Sequence, residues 1–239
     1  MSTKSQKYGF TGETKVVDGV TLKRIVAKKN FGRVFKGDVG GWIEKRANLS
    51  NGGFCWVSDD AMVYGDAVVS DNASVCYNAI VRGNAMVVEN SVVSGLAIVE
   101  DMAVIRGFAK IRDKAIVCGG SCVKDNAVVS GQALVKFSGC IKGFEIISGT
   151  AVIYKADDYI SIVCYWSGMT LVHTFMNGMW CLDNCLFDTK DLLRAAYRNS
   201  KEIGDYYKKT VEYVEYVRSR KYREEKKTWW KRLLAVFKA

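Results

Sequence analysis

From Val57 a β-branched residue recurs at every sixth position, through Val63, Val69, Val75, Val81, Val87, Val93, Val99, Ile105, Ile111, Val117, Val123, Val129, Val135, Ile141 and Ile147 to Ile153. Two residues before each stands a small one, Ala61, Ala67, Ala73, Ala79, Ala85, Ser91 and so on to Ala133; the pattern loosens at Gly139 and Glu145 and returns at Ala151. Two residues earlier still lies Gly or Asp in most units, so the repeat is Gly/Asp-x-Ala-x-Val-x. Residues two apart share one side of an extended strand, and a Gly or Asp every six residues lets the chain turn after each strand. Six is not a multiple of the helical period, so a helix is excluded. Stacked units of this kind make a β-solenoid with Val and Ile along the axis and Ala at the tight corners, whereas an ordinary β-sandwich would need irregular strand lengths. At three units per coil the seventeen hexads give almost six coils, a prism of roughly 27 Å at about 4.8 Å per coil.

Gly and Asp alternate from Gly95 to Gly131 with a period of twelve. That suits a flattened two-sided coil of twelve residues, while three units per coil demand eighteen. The position between Ala and Val should face outward, yet it reads Met62, Val68, Ile80, Met86, Val92, Ile98, Val104, Ile116, Val128 and Leu134. Such an apolar surface calls for a cover, either the C-terminal part of the chain or a second subunit. In an eighteen-residue coil Arg106, Lys124 and Lys142 stack into a ladder of like charge, suited to phosphate or carboxylate, although a merely solvated edge has the same composition. With no aromatic residue expected among the three cations, specific nucleic-acid recognition is not expected. Gly37 to Gly41 lacks the Lys-Ser/Thr of a phosphate loop and is expected to be a capping turn.

After residue 154 the hexads stop. Three apolar stretches, 159–166, 169–176 and 179–187, are separated by Ser167-Gly168 and Asn177-Gly178, which predicts a small antiparallel meander. It contains Cys164, His173, Cys181 and Cys185, whose spacing matches no standard zinc signature, so buried thiols and no metal are expected. A helix starts at Asp188 or Thr189, with Gly204 as a point where it breaks in two. At the end, Trp229, Trp230, Leu233, Leu234 and Phe237 share one helical face ringed by cations. That face suits a membrane surface or docking on the body of the protein. The domain order expected is a cap with a hairpin (1–46), the solenoid (47–154), the meander (155–187) and basic helices (188–239).

The solenoid resembles the hexapeptide-repeat, left-handed parallel β-helix proteins of the trimeric LpxA-like superfamily. The lead-in Thr21-Leu22-Lys23-Arg24-Ile25, Gly37-Asp38-Val39-Gly40-Gly41-Trp42-Ile43-Glu44 and Asn48-Leu49-Ser50 looks like the cap of its YdcK-like branch, which is common in bacteria and their phages. Trp56-Val57-Ser58-Asp59-Asp60-Ala61 enters the repeats as that branch does, and Cys181 with Cys185-Leu186-Phe187 is similar to its C-terminal module, with Asn184 where a glycine is usual. The resemblance implies a three-sided coil and a homo-oligomer, trimer or dimer. Enzymes of the superfamily are mostly acyltransferases with a histidine base at a subunit interface, and its carbonic anhydrases hold zinc with three histidines. This chain has one histidine, His173, outside the repeats, which excludes three-histidine zinc and leaves the hexads without that base.

Composition adds less. The 239 residues, 49% apolar and 25% charged, make an ordinary globular protein without a single proline. Of the net charge of +10, residues 190–239 supply +8, from 15 Lys or Arg against 7 Asp or Glu, so a basic tail follows a nearly neutral body. Neither a leader nor a membrane span is readable, and the eight cysteines suit reduced thiols in a cytoplasmic protein. The expected function is a non-catalytic binding or scaffold protein, without cofactor, for a protein partner or an anionic ligand. The alternatives are a divergent acyltransferase using His173, or a phage-encoded sponge that sequesters a phosphorylated small molecule.

Overall fold

A computed structural model describes residues 6–155, 159–163, 170–174, 180–182, 185–201, 203–216 and 219, with backbone alone for residues 160–187. The chain divides into two compact units, Met1–Tyr159 and Ile160–Ala239.

Strands β1 (Tyr8–Val17) and β2 (Val20–Ala27) form an antiparallel hairpin closed by Asp18 and Gly19, both with positive φ (51° and 77°). Two left-handed residues give the turn whose twist matches the flanking strands. β2 pairs with β3 (Val39–Ile43), and β3 then runs parallel to the first of the solenoid strands on its face, Trp42 beside Met62 and Ile43 beside Val63. Coiling therefore begins in β3, ahead of residue 47. Gly40 and Gly41 allow it, because a Cβ at Gly41 would lie 2.5 Å from the Ala61 carbonyl oxygen and one at Gly40 2.6 Å from that of Val57.

The hexads form a parallel β-solenoid of about six turns. Its register is eighteen: Val99 pairs with Val81 and Val117, Ile105 with Val87 and Val123, and Val93 with Val75 and Ile111. Three faces result. The first carries Val63, Val81, Val99, Val117, Val135 and Ile153, the second Val57 through Ile147, and the third Val69 through Ile141. All seventeen inward residues are fully buried.

Eighteen and twelve are reconciled by the odd number of corners. An alternation at every hexad returns the opposite residue to the same corner one coil later, so columns read Gly95, Asp113, Gly131 and Gly107, Asp125, Gly143. Each aspartate then accepts the backbone N–H of the next coil: Asp101 from Gly119 and Asp113 from Gly131, both at 2.9 Å, and Asp125 from Gly143 at 3.0 Å. A twelve-residue coil would have stacked carboxylate on carboxylate. Both residue types sit at positive φ, and a Cβ on Gly107 would come within 2.7 Å of the Asp125 nitrogen, so glycine lets the coils close where aspartate ties them together.

The outer row of the first face is half-buried, and its start is covered by an element the apolar pattern did not suggest. Val17 and Val20 at the hairpin tip pack with Leu22, Trp42 and Tyr64 against Met62 and Ile80.

Strands at residues 159–163, 170–174, 180–182 and 185–187 make a four-stranded sheet in sequence order, antiparallel where His173 faces Trp180 and Cys181 faces Leu186. Helix α1 (Thr189–Asn199) is capped by Asp188, whose side chain accepts the Asp191 N–H at 2.8 Å. It ends at Ser200. Gly204 lies inside the following helix, its N–H donating to the Ser200 carbonyl at 3.0 Å, so the break falls four residues before the glycine. A side chain at Gly204 would collide with the Tyr197 ring, which identifies the glycine as the point of closest approach. The two helices enclose Leu192, Ala196, Tyr207, Val211 and Val214.

Candidate functional site

The corner that follows the third face is the candidate site. Ile105, Val123 and Ile141 are register partners in successive coils, so the residues after them, Arg106, Lys124 and Lys142, stand one above another. Arg106 and Lys142 are exposed and Lys124 is half-buried. None of the three makes an ion pair among the described residues. The acids nearby are directed at the backbone instead. Glu89 accepts the Gly107 N–H at 2.8 Å, Asp125 accepts that of Gly143 at 3.0 Å, and Glu145 accepts both the Lys142 N–H at 3.0 Å and the Tyr159 hydroxyl.

The expectation of an edge without aromatics is corrected here. Phe108 and Phe144 stand two residues beyond Arg106 and Lys142 on the same corner, 59% and 72% exposed, with Asn126 between them in the column. The signal was in the sequence as two phenylalanines thirty-six residues apart, twice the coil length. It is invisible when only the cations' immediate neighbours are considered.

The corner that follows the first face holds a second polar ladder. Arg82 donates to Asp18 at 3.0 Å and, through Nε at 2.8 Å, to Glu100; Tyr64 donates to the same Asp18 oxygen at 2.9 Å. The guanidinium thus straps the hairpin tip to two coils, and its hydrogen bonds to Tyr64 and Glu100 hold its pKa above the usual arginine range. Farther along, Lys136 lies 4.7 Å from the centre of the Tyr154 ring, against which Phe137 stacks at 5.6 Å. Glu100, Asp101 and Cys118 present ligand atoms within 4.8 Å of one another, and both carboxylates already have partners in the fold. Glu100 is bound to Arg82 and Asp101 to the Gly119 amide. Burial, reinforced by Glu100 and Asp101, pushes the Cys118 thiol up. The group is a fastening. Arg82→Met should cost about 1 kcal/mol, as expected for a partly exposed ion pair, and should speed hydrogen exchange at the Val17 and Val20 amides but not at those of the solenoid. Unchanged exchange at the tip would show that the strap holds nothing.

His173, the histidine of the acyltransferase alternative, lies in the strand at 170–174 opposite Trp180, away from the repeats in sequence. Cys164, Trp229, Trp230, Leu233, Leu234 and Phe237 lie outside the described residues, as do the side chains of His173, Cys181 and Cys185.

No family model matches the chain. A segment of 51 residues is 39% identical to a protein of Escherichia coli (strain K12) whose name is "Uncharacterized acetyltransferase YdcK". The match covers 21% of this chain and 16% of that protein. Together with the solenoid, this local likeness fits the hexapeptide-repeat superfamily.

Proposed function

We propose that this chain is a non-catalytic β-solenoid that binds an anionic, phosphate- or carboxylate-bearing ligand on the Arg106–Lys124–Lys142 corner. The observation that carries the reading is that ladder, three cations on successive coils without an ion pair among the described residues. At a coil spacing of about 4.8 Å, adjacent unit charges repel by about 1 kcal/mol even in a water-like dielectric, and an anion bridging them relieves this. A phosphorylated small molecule, a protein partner and assembly into a homo-oligomer all suit such a surface. Membership of the YdcK-like branch belongs to the same proposal and is supported by the local likeness; a phage or prophage source and a cytoplasmic location are proposed with it.

Titration calorimetry with inorganic tripolyphosphate tests it. Binding should weaken about tenfold or more in Arg106→Glu with Lys124→Glu, and should fall with added salt; equal binding by that variant would overturn the proposal. The name of the relative favours a second reading, acyl transfer, with His173 as its candidate base. Acetyl-coenzyme A turnover that His173→Ala abolishes would establish that reading instead.

A further inference from the structure

We infer that the ligand of this corner is single-stranded nucleic acid, its phosphates on Arg106, Lys124 and Lys142 and its bases on Phe108 and Phe144. The inference rests on the anion-binding reading and adds the chemical class of the ligand. Phosphate alone would explain the cations and leave the two rings unexplained. Phe108 and Phe144 are 59% and 72% exposed, so neither ring is packed away among the described residues. Each stands two residues from a cation of the ladder, and Lys110 is exposed on the strand that follows Phe108. A cationic track with aromatic faces beside it is the arrangement that holds unpaired strands without regard to sequence, because every base has a face to stack and every nucleotide a phosphate.

Spacing selects a strand over a free nucleotide. The two rings are separated by two coils, about 9.6 Å, with Lys124 and the Asn126 amide between them. One nucleotide could use one ring and its nearest cations, whereas occupying both rings and all three cations takes a chain of two or more nucleotides. A duplex is disfavoured, since its bases are stacked on one another and present no free face. Glu89, Asp125 and Glu145 keep their charge and offset part of the attraction, but each carboxylate is turned to a backbone N–H, which leaves Arg106, Lys124 and Lys142 without an ion pair among the described residues.

The test is fluorescence anisotropy on the full chain with a labelled single-stranded deoxyoligonucleotide of about ten nucleotides, within the usual site sizes for such proteins. The same strand as a duplex, a mononucleotide and inorganic polyphosphate serve as competitors. Phe108→Ala with Phe144→Ala should keep the wild-type melting temperature, weaken oligonucleotide binding about tenfold or more and leave polyphosphate binding unchanged. Log affinity should fall against log salt with a slope near −2, for three phosphates on a single strand. Full binding by the double alanine variant, or equal binding of duplex or mononucleotide, would overturn the inference while leaving the anion-binding reading intact. Arg106→Glu with Lys124→Glu and Lys142→Glu should weaken both polyanions. If that variant still binds both, the attraction comes from cations elsewhere, such as the basic 190–239 segment, and both readings fail.

Discussion

Val99→Asp should destabilise the solenoid by at least about 4 kcal/mol, enough to leave much of the protein unfolded at ordinary temperatures. Val99 is fully buried at the axis, with Val81 below and Val117 above it in register. Losing the buried valine removes about 1.5–3 kcal/mol of hydrophobic stabilisation. The carboxyl then enters a site lined by Val and Ala, where it must either ionise in an apolar medium or take up a proton and leave its polar atoms unpaired, at a further cost of about 2 kcal/mol or more. In a stack whose coils rest only on their neighbours the damage reaches the rungs on both sides. The control is one residue away. Ile98→Asp changes the half-buried outer row of the same strand, where water reaches the carboxylate, and should cost about 1 kcal/mol. Chemical denaturation of both variants makes the comparison, and Val99→Asp melting like the wild type would overturn the assignment of the axis.

That contrast between adjacent residues was legible in the sequence because a solenoid repeats its environment. Each hexad samples the same axis, corner and outer wall, so seventeen repetitions reveal what one strand of two residues never would. The coil length was less legible. Gly and Asp count six-residue steps and say nothing of how many steps close a turn, and the physical reason for their alternation emerges only when corner sits on corner and an aspartate faces the amide above it. Phe108 and Phe144 escaped for a different cause: the eighteen-residue stacking that aligns Arg106, Lys124 and Lys142 also aligns the residues two positions further on, but only the cations' immediate neighbours suggest themselves as part of the ladder.

Features outside the repeat were hidden for a different reason. Asp18 and Arg82 are sixty-four residues apart, and no periodicity connects a hairpin tip to the corner it straps. Gly204 reads as a helix breaker by intrinsic propensity, but packing against Tyr197 outweighs that preference and the break moves to Ser200, where the cap geometry allows it. In each case a contact between distant segments decides, and a single sequence does not encode such contacts locally.

The same holds at the solenoid's opening, where Lys7→Met should cost about 2–3 kcal/mol. The first coil has no coil beneath it to satisfy its carbonyls. Lys7 takes that place: it is 1% exposed, and its ammonium donates to the Cys55 carbonyl at 2.9 Å and the Gly52 carbonyl at 3.1 Å, with the Cys55 sulfur at 3.2 Å. Phe31 faces the same ammonium, which lies 5.1 Å from the ring centre. Burial pushes the Cys55 thiol up more strongly than Lys7 pulls it down, so the thiol stays neutral at physiological pH and the contact is not an ion pair. Methionine keeps the apolar stem and removes every donor, leaving the Cys55 carbonyl buried without a partner and the Gly52 carbonyl partly so, at about 1–3 kcal/mol for each fully buried group. Against this stands the desolvation of an ammonium, which the variant no longer suffers. The hydrogen bonds should win, because the carbonyls are fixed in the coil and the backbone N–H of Lys7, donating to Asn51 at 2.6 Å, already anchors the residue there. Denaturation of Lys7→Met should show the loss, with hydrogen exchange fastest at the Cys55 and Trp56 amides. A variant as stable as the wild type would mean that desolvating the ammonium cancels its hydrogen bonds, and the end of the solenoid would then be held by packing alone.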